Sequence, residues 1–197
     1  RDLHSFPTRR SSDLLASGAS KFGDIAQFPQ ATMGVQAPFR YEARLYARYA
    51  LAKNPNARFA VISQNDDYGR DYLAGIKDVL GDKYDSLVTV ATYEISDPTI
   101  DSQIVQLKAA GVDTLIEQSS SKAAAQSIRK VYELGWKPLH VIGGSTASVE
   151  TILKPAGLEA SKGLVTTQFL KQPGDPAWAN DDEVKAYKDF QIGRAHV

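Results

Sequence analysis

Phe59-Ala-Val-Ile-Ser-Gln-Asn-Asp-Asp-Tyr68-Gly69, continued by Arg70 to Leu80, is the stretch that decides the fold. An apolar run stops abruptly in polar, turn-forming residues, and Tyr72, Leu73, Ile76 and Leu80 then recur at the spacing of one helical face. That is a strand feeding a helix. In an open parallel sheet such junctions lie at the carboxyl ends of the strands, where ligands bind in the crevice, so Tyr68 is well placed to touch one.

The same alternation extends in both directions. Upstream, Tyr41, Leu45, Ala47 and Leu51 sit on or near one face of a helix that Asn54-Pro55-Asn56 ends. Downstream, Leu87 to Tyr93 is a Val- and Thr-rich strand. Asp97-Pro98 starts a helix with Ile100, Ile104 and Leu107 inward and Gly111 as its C-cap. Val112 to Glu117 is a strand, Ser119 to Leu134 a helix (Ala124, Ile128, Val131, Tyr132) closed by Gly135, and Leu139 to Ile142 a strand opening onto Gly143-Gly144-Ser145-Thr146. A short helix reaches about Lys154, and Gly163 to Gln168 reads as the last strand. Strands alternating with helices of ten to fifteen residues imply an α/β fold: a mostly parallel sheet with helices on both faces. The flanks, Ala16 to Met33 and Phe169 to Gln191, are rich in Gly, Pro, Asp and Asn and complete no such unit; they read as strips of a neighbouring lobe.

The ends differ again. Arg1 to Leu14 and Ile192 to Val197 have no apolar period and resemble translated sequencing-adaptor DNA, so both are expected to be non-native and the rest an internal fragment. Setting them aside turns 23 basic and 23 acidic residues into 19 and 21, a net charge of about −2. Such a chain carries no electrostatic footprint for nucleic acid or an anionic membrane. The absence of cysteine excludes thiolate catalysis, disulfides and Cys-based metal sites. No apolar run approaches the roughly 20 residues of a membrane span.

Few constellations suggest catalysis. Ser119-Ser-Ser-Lys122 has the Ser-x-x-Lys spacing of some acylating enzymes. A serine that N-caps the following helix explains it more simply, and the same free N–H groups and hydroxyls suit a ligand carboxylate. Asp66 and Asp67 have the form of a metal or phospho-acceptor pair, but a helix cap and a favourable dipole contact account for them. His140 lies in a strand pattern that suits a structural role, and no Gly-x-Ser-x-Gly elbow supports a hydrolase. The turn Gly143-Gly144-Ser145-Thr146 lacks the spacing of a dinucleotide fingerprint or phosphate loop. It is either a tight turn or a backbone-lined wall against a small polar ligand. Taken together, Tyr68, Ser119 to Ser121 and Gly144 to Thr146 each follow a strand of one inferred sheet. Hydroxyls and backbone donors gathered without an acid–base pair, metal set or nucleophile describe recognition rather than catalysis.

Gln64-Asn-Asp-Asp-Tyr-Gly69, Asp97-Pro-Thr-Ile-Asp-Ser-Gln-Ile-Val105, Gly135-Trp-Lys-Pro138, and Lys154-Pro-Ala-Gly-Leu158 with Ser161-Lys-Gly163 resemble, as a set, the branched-chain amino-acid type of periplasmic (type I) solute-binding proteins of ABC transporters. The resemblance implies two α/β lobes closing on a ligand. Residues 15–35 would then end a lobe-one segment, 36–168 would form lobe two, and 169–191 would return to lobe one. Phe28, Met33, Phe169 and Trp178, deprived of lobe-one neighbours, would be exposed or loosely packed. The resemblance further implies ligand contacts from Gly18, Ala19 and Ser20 in lobe one and from Tyr68, Ser119, Ser120 and Ser145 in lobe two. Ser145 stands where amino-acid binders carry an acid for the ammonium group, so an amine-free carboxylate becomes a serious candidate.

The expected function is therefore extracytoplasmic capture of a branched-chain amino acid or related small carboxylate. The ligand would be passed to a membrane ABC permease, with no cofactor, metal, catalysis, nucleic acid or direct membrane insertion. A periplasmic or extracytoplasmic location follows from that role. A ligand-sensing domain of a receptor or regulator with the same bilobal fold is the alternative from another class. A Rossmann-like enzyme comes third, because it lacks the phosphate fingerprint.

Overall fold

The structure, a computed structural model, describes residues 17–24, 26–27 and 36–194. The expectations placed on Arg1 to Leu14, Phe28 and Met33 lie outside those residues. Two compact units divide the chain, residues 1–166 and 167–197.

In the first unit a 3-10 turn, Ser20–Gly23, precedes α1 (Phe39–Lys53), β1 (Phe59–Gln64), α2 (Asp67–Leu80) and the short α3 (Tyr84–Leu87). β2 (Val88–Tyr93), α4 (Asp101–Ala109), β3 (Thr114–Gln118), α5 (Ser121–Glu133) and β4 (Leu139–Ile142) follow, then a π-helical segment, Val149–Leu153, and α6 (Lys154–Ala156). The four strands are all parallel in the order β2-β1-β3-β4. Alternation along each strand serves two helical layers. Phe59, Val61, Ile116 and Val141 join α1 and α2 in one core, while Ala60, Ile62, Ala91 and Leu115 join Ile104 and Leu107 of α4 and Ala123 and Val131 of α5 in the other. Each fully buried Ile or Leu contributes about 1.5–3 kcal/mol of transfer free energy.

Three expectations need correction. The buried face of α1 is Phe39, Ala43, Tyr46, Ala47 and Ala50, whereas Tyr41 and Leu45 are 61% and 55% exposed. The reason is the closeness of α1 to α2: a Cβ on Gly75 would stand 2.4 Å from the Arg40 carbonyl oxygen and 2.7 Å from Ala43 Cβ. Only small side chains fit that contact, and the larger apolar residues turn to solvent, where the Tyr41 ring lies under the Arg44 guanidinium. Tyr132 likewise faces out, one position beyond the buried Val131. Finally, Gly163 to Gln168 is not a strand. It contributes a single parallel bridge, Val141 to Val165, because the chain has hardly reached the sheet edge before the unit ends. The helices after β2 and β3 also begin later than read, at Asp101 and Ser121.

The second unit holds a 3-10 turn, Pro176–Trp178, whose N-cap Asp175 accepts from Ala177 N–H, and α7 (Asp182–Arg194). Lys171 Nζ lies 2.7 Å from both Asp181 and Glu183. Phe169 and Trp178 are exposed, as expected.

Candidate functional site

The carboxyl end of the sheet gathers the functional side chains, and the turn after β1 is built first. Asp66 is the N-cap of α2, its Oδ1 accepting from Gly69 N–H at 3.0 Å, while its Oδ2 takes the Gln64 amide. The next residue but one, Tyr68, is thereby aimed across the sheet. Its hydroxyl lies 3.0 Å from Ser145 Oγ, and its ring packs on Phe39 (centroids 4.3 Å) and edge-on to Tyr72 (5.6 Å). Burial pushes the Tyr68 phenol up to about 12, with the Ser145 and Gln118 side chains pulling part of the way back. At any ordinary pH it is a neutral donor.

Gly143 makes this approach possible. A Cβ there would meet the Tyr68 hydroxyl at 2.9 Å and the Tyr72 hydroxyl at 3.3 Å. Beneath lies Gln118, fully buried at the end of β3. It stands near enough to the Tyr68 hydroxyl to affect its pKa, but neither its amide nitrogen nor its oxygen makes a hydrogen bond to any described residue. A buried amide without partners costs about 1–3 kcal/mol, so this is the one conspicuous polar debt of the edge.

Glu42, on α1, organises the opposite wall. Its Oε1 accepts from Gly144 N–H at 2.8 Å and from the Tyr46 hydroxyl at 2.7 Å, the latter sharing its proton with the Ile142 carbonyl oxygen at 2.9 Å; its Oε2 accepts from the Tyr72 hydroxyl. Burial, reinforced by the Glu42 charge, raises Tyr72 well above its ordinary value. On the other face of the sheet the Tyr93 hydroxyl accepts from Ser120 N–H (2.7 Å) and donates to Gln64 Oε1 (3.0 Å).

The residues expected at the site are therefore only partly brought together. Tyr68 and Ser145 touch. Ser120 stands at the N-cap of α5, yet its side chain makes no capping bond, and its N–H goes to Tyr93. Ser119 is buried and turned inward, its Oγ donating to Glu117 Oε1 at 2.6 Å, so it caps nothing. Gly18, Ala19 and Ser20 do not touch Tyr68 or Ser145 by any hydrogen bond among the described residues; they pack on Phe39 and bond to α2. The Gly18 carbonyl oxygen accepts from Phe39 N–H (2.9 Å), Ala19 is buried beside that ring, and Ser20 bonds to Asp71 through both its N–H and its Oγ. His140 has the structural role expected of it, with Nε2 2.8 Å from Glu117 Oε2. Sequence reading missed Glu42, Gln118 and Tyr93. Tyr93 and Gln118 were visible as the polar-tipped ends of apolar strands, whereas nothing in a helix marks Glu42 out.

Among the described residues no group of His, Cys, Asp or Glu is arranged to hold a metal, and no helix is long and apolar enough to cross a membrane. The edge can donate hydrogen bonds from neutral hydroxyls and an amide against an aromatic wall.

The sequence profile of the periplasmic binding protein family matches residues 30–194. The chain belongs to that family. Among solved structures, a possible leucine/isoleucine/valine-binding protein from Rhodopirellula baltica is similar with a TM-score of 0.71 at 18% identity, covering 88% of this chain and 46% of its own. A branched-chain amino acid ABC transporter protein from Thermus thermophilus with bound valine gives 0.67 at 15% identity, covering 84% and 41%. A fatty acid ABC transporter substrate-binding protein from Thermomonospora curvata gives 0.63 at 17%, covering 87% and 49%. At such identities these likenesses establish the fold, the type I periplasmic α/β lobe. This periplasmic binding protein chain spans less than half the length of each. No curated protein matches it.

Proposed function

We propose that the chain is part of an extracytoplasmic solute-binding protein that captures a small carboxylate and presents it to a membrane ABC permease, without catalysing a reaction. Residues 36–168 would be its second lobe, with 15–35 and 169–191 belonging to the first. Closure of the two lobes would be driven by ligand contacts made only in the closed state. Tyr68, Ser145 and Gln118 would meet the ligand in this lobe, and Gly18, Ala19 and Ser20 would contribute from the first.

One observation supports a carboxylate with no amine over an amino acid. The acidic side chains around Tyr68 and Ser145 are already committed: Glu42 to two tyrosines and Gly144, Asp66 to Gly69 and Gln64, Asp67 to Lys21 and Arg70, and Asp71 to Ser20. The edge offers donors to an anion and no spare carboxylate to an ammonium group. The structural neighbours include binding proteins named for branched-chain amino acids and for fatty acids, so both chemistries fit this lobe shape.

Thermal shift of the complete protein against leucine and 4-methylpentanoate, the same skeleton without the amine, tests this reading. A ligand at about 100 times its dissociation constant stabilises the fold by about 2.7 kcal/mol. Stabilisation by 4-methylpentanoate and not by leucine is the expected result; the reverse would return the ligand to the amino acids.

A further inference from the structure

The opposite end of the sheet carries a second concavity with a different character. It is a cavity of about 360 Å³ at the amino-terminal end of β4, walled by Val131 and Tyr132 from the last turn of α5, by Trp136, Lys137 and Pro138 before the strand, and by Glu159, Ala160 and Lys162 to Leu164 beyond α6. That volume falls within the range of small-molecule sites, about 300–1,000 Å³. None of its lining belongs to the cluster around Tyr68.

Its chemistry divides cleanly between floor and mouth. Val131, Leu164 and the half-buried indole of Trp136 supply an apolar wall. His140, with 7% of its side chain exposed, also lines the cavity, and Glu117 holds its Nε2 at 2.8 Å while Ser119 braces the other carboxylate oxygen. The imidazole is thus held by buried Glu117, which Ser119 braces in turn. At the mouth stand two lysines. Lys162 is neutralised by Glu159 at 2.8 Å, whereas exposed Lys137 pairs with no carboxylate among the described residues. A fixed aromatic wall, a rigid polar floor and one uncompensated cation at the rim suit a ligand with a flat apolar body and a single negative head.

We propose that this cavity is a second ligand site, selective for small flat monocarboxylates that stack on Trp136 and meet Lys137. It is independent of the carboxyl-edge site. Its occupant is distinguished from a ligand at that edge by where its signal arises.

Trp136 and Trp178 are the two tryptophans of this chain, and the part of an emission change in the complete protein that Trp136→Phe abolishes arises at this cavity. Benzoate is the probe, with benzamide and benzylamine as its neutral and cationic counterparts. Benzoate should change Trp136 emission saturably, with benzamide at least about tenfold weaker and benzylamine weaker still. Lys137→Glu should weaken benzoate by about tenfold with little change in melting temperature, since exposed Lys137 makes no ion pair with any described residue that the charge reversal would break. Tyr68→Ala should leave the Trp136 titration unchanged, whatever it does to binding at the other end of the sheet. As an independent readout, benzoate should shift the side-chain resonances of His140 and Leu164 in the NMR spectrum. An emission response absent from folded protein, equal for benzoate and benzamide, or insensitive to Lys137→Glu would overturn the site. So would a response lost on Tyr68→Ala.

Discussion

The turns after β1 and after β3 do the same topological job, sending a strand into a helix, yet they leave their polar groups in opposite states. After β1, Asp66 closes the first turn of α2 through Gly69 N–H and ties down the Gln64 amide as well. After β3, Ser120 occupies the capping position without using its side chain, and the Gln118 amide beneath has no partner among the described residues. One junction is finished within the lobe and the other is not. A buried amide left unmet carries a free-energy cost that the finished junction does not.

The comparison can be broken most forcefully from the finished side. Glu42→Ala would strand the buried Tyr72 hydroxyl and Gly144 N–H, while Tyr46 keeps the Ile142 carbonyl, so a loss of about 2–4 kcal/mol is expected by urea unfolding. A loss under about 1 kcal/mol would mean that the Gly143–Ser145 turn holds itself. Next in size is Tyr68→Ala, expected to weaken ligand binding by about 1–3 kcal/mol in calorimetric titration of the complete protein. Tyr72→Ala, truncating a fully buried ring of the α1/α2 core, should instead act on stability. Unchanged affinity in folded Tyr68→Ala protein removes that residue from the site.

The two caps give a smaller and more pointed contrast. Asp66→Ala should cost about 1 kcal/mol of stability and Ser120→Ala close to nothing, since only the first side chain accepts a helix N–H. Equal costs in chemical denaturation would erase the difference between the junctions. Smallest is an effect of pH at the far end of α2. Hydrogen bonds from Arg40 and then Arg44 hold the Asp78 carboxyl well below the usual carboxylate range. A carboxyl lowered in the folded state stabilises above its unfolded pKa, near 4, and that contribution disappears as acid protonates it. The melting-temperature gap between the native chain and Asp78→Asn should therefore narrow as pH falls from 7 toward 3, with a modest amplitude because the groups are partly exposed.

The α/β class, the four parallel strands and the placing of Tyr68 and Ser145 at one edge were legible in the residues themselves. Apolar periodicity reports which side chains must leave water, and a turn after each strand reports where the edge lies. The inward face of α1 was not legible, because Tyr41 and Leu45 are as apolar as anything buried and only the approach of Gly75 to Arg40 and Ala43 forces alanines into the contact. Glu42, Gln118 and the Glu117–His140 pair were equally silent. Each acquires its role from partners 23 to 102 residues away or from having none, as the Gly144 to Glu42 and His140 to Glu117 bonds show. Sequence determined which segments are strands and helices, because burial of apolar surface is a local pattern. The tertiary structure alone decided which polar groups are satisfied, because a hydrogen bond depends on what the fold brings within 3 Å.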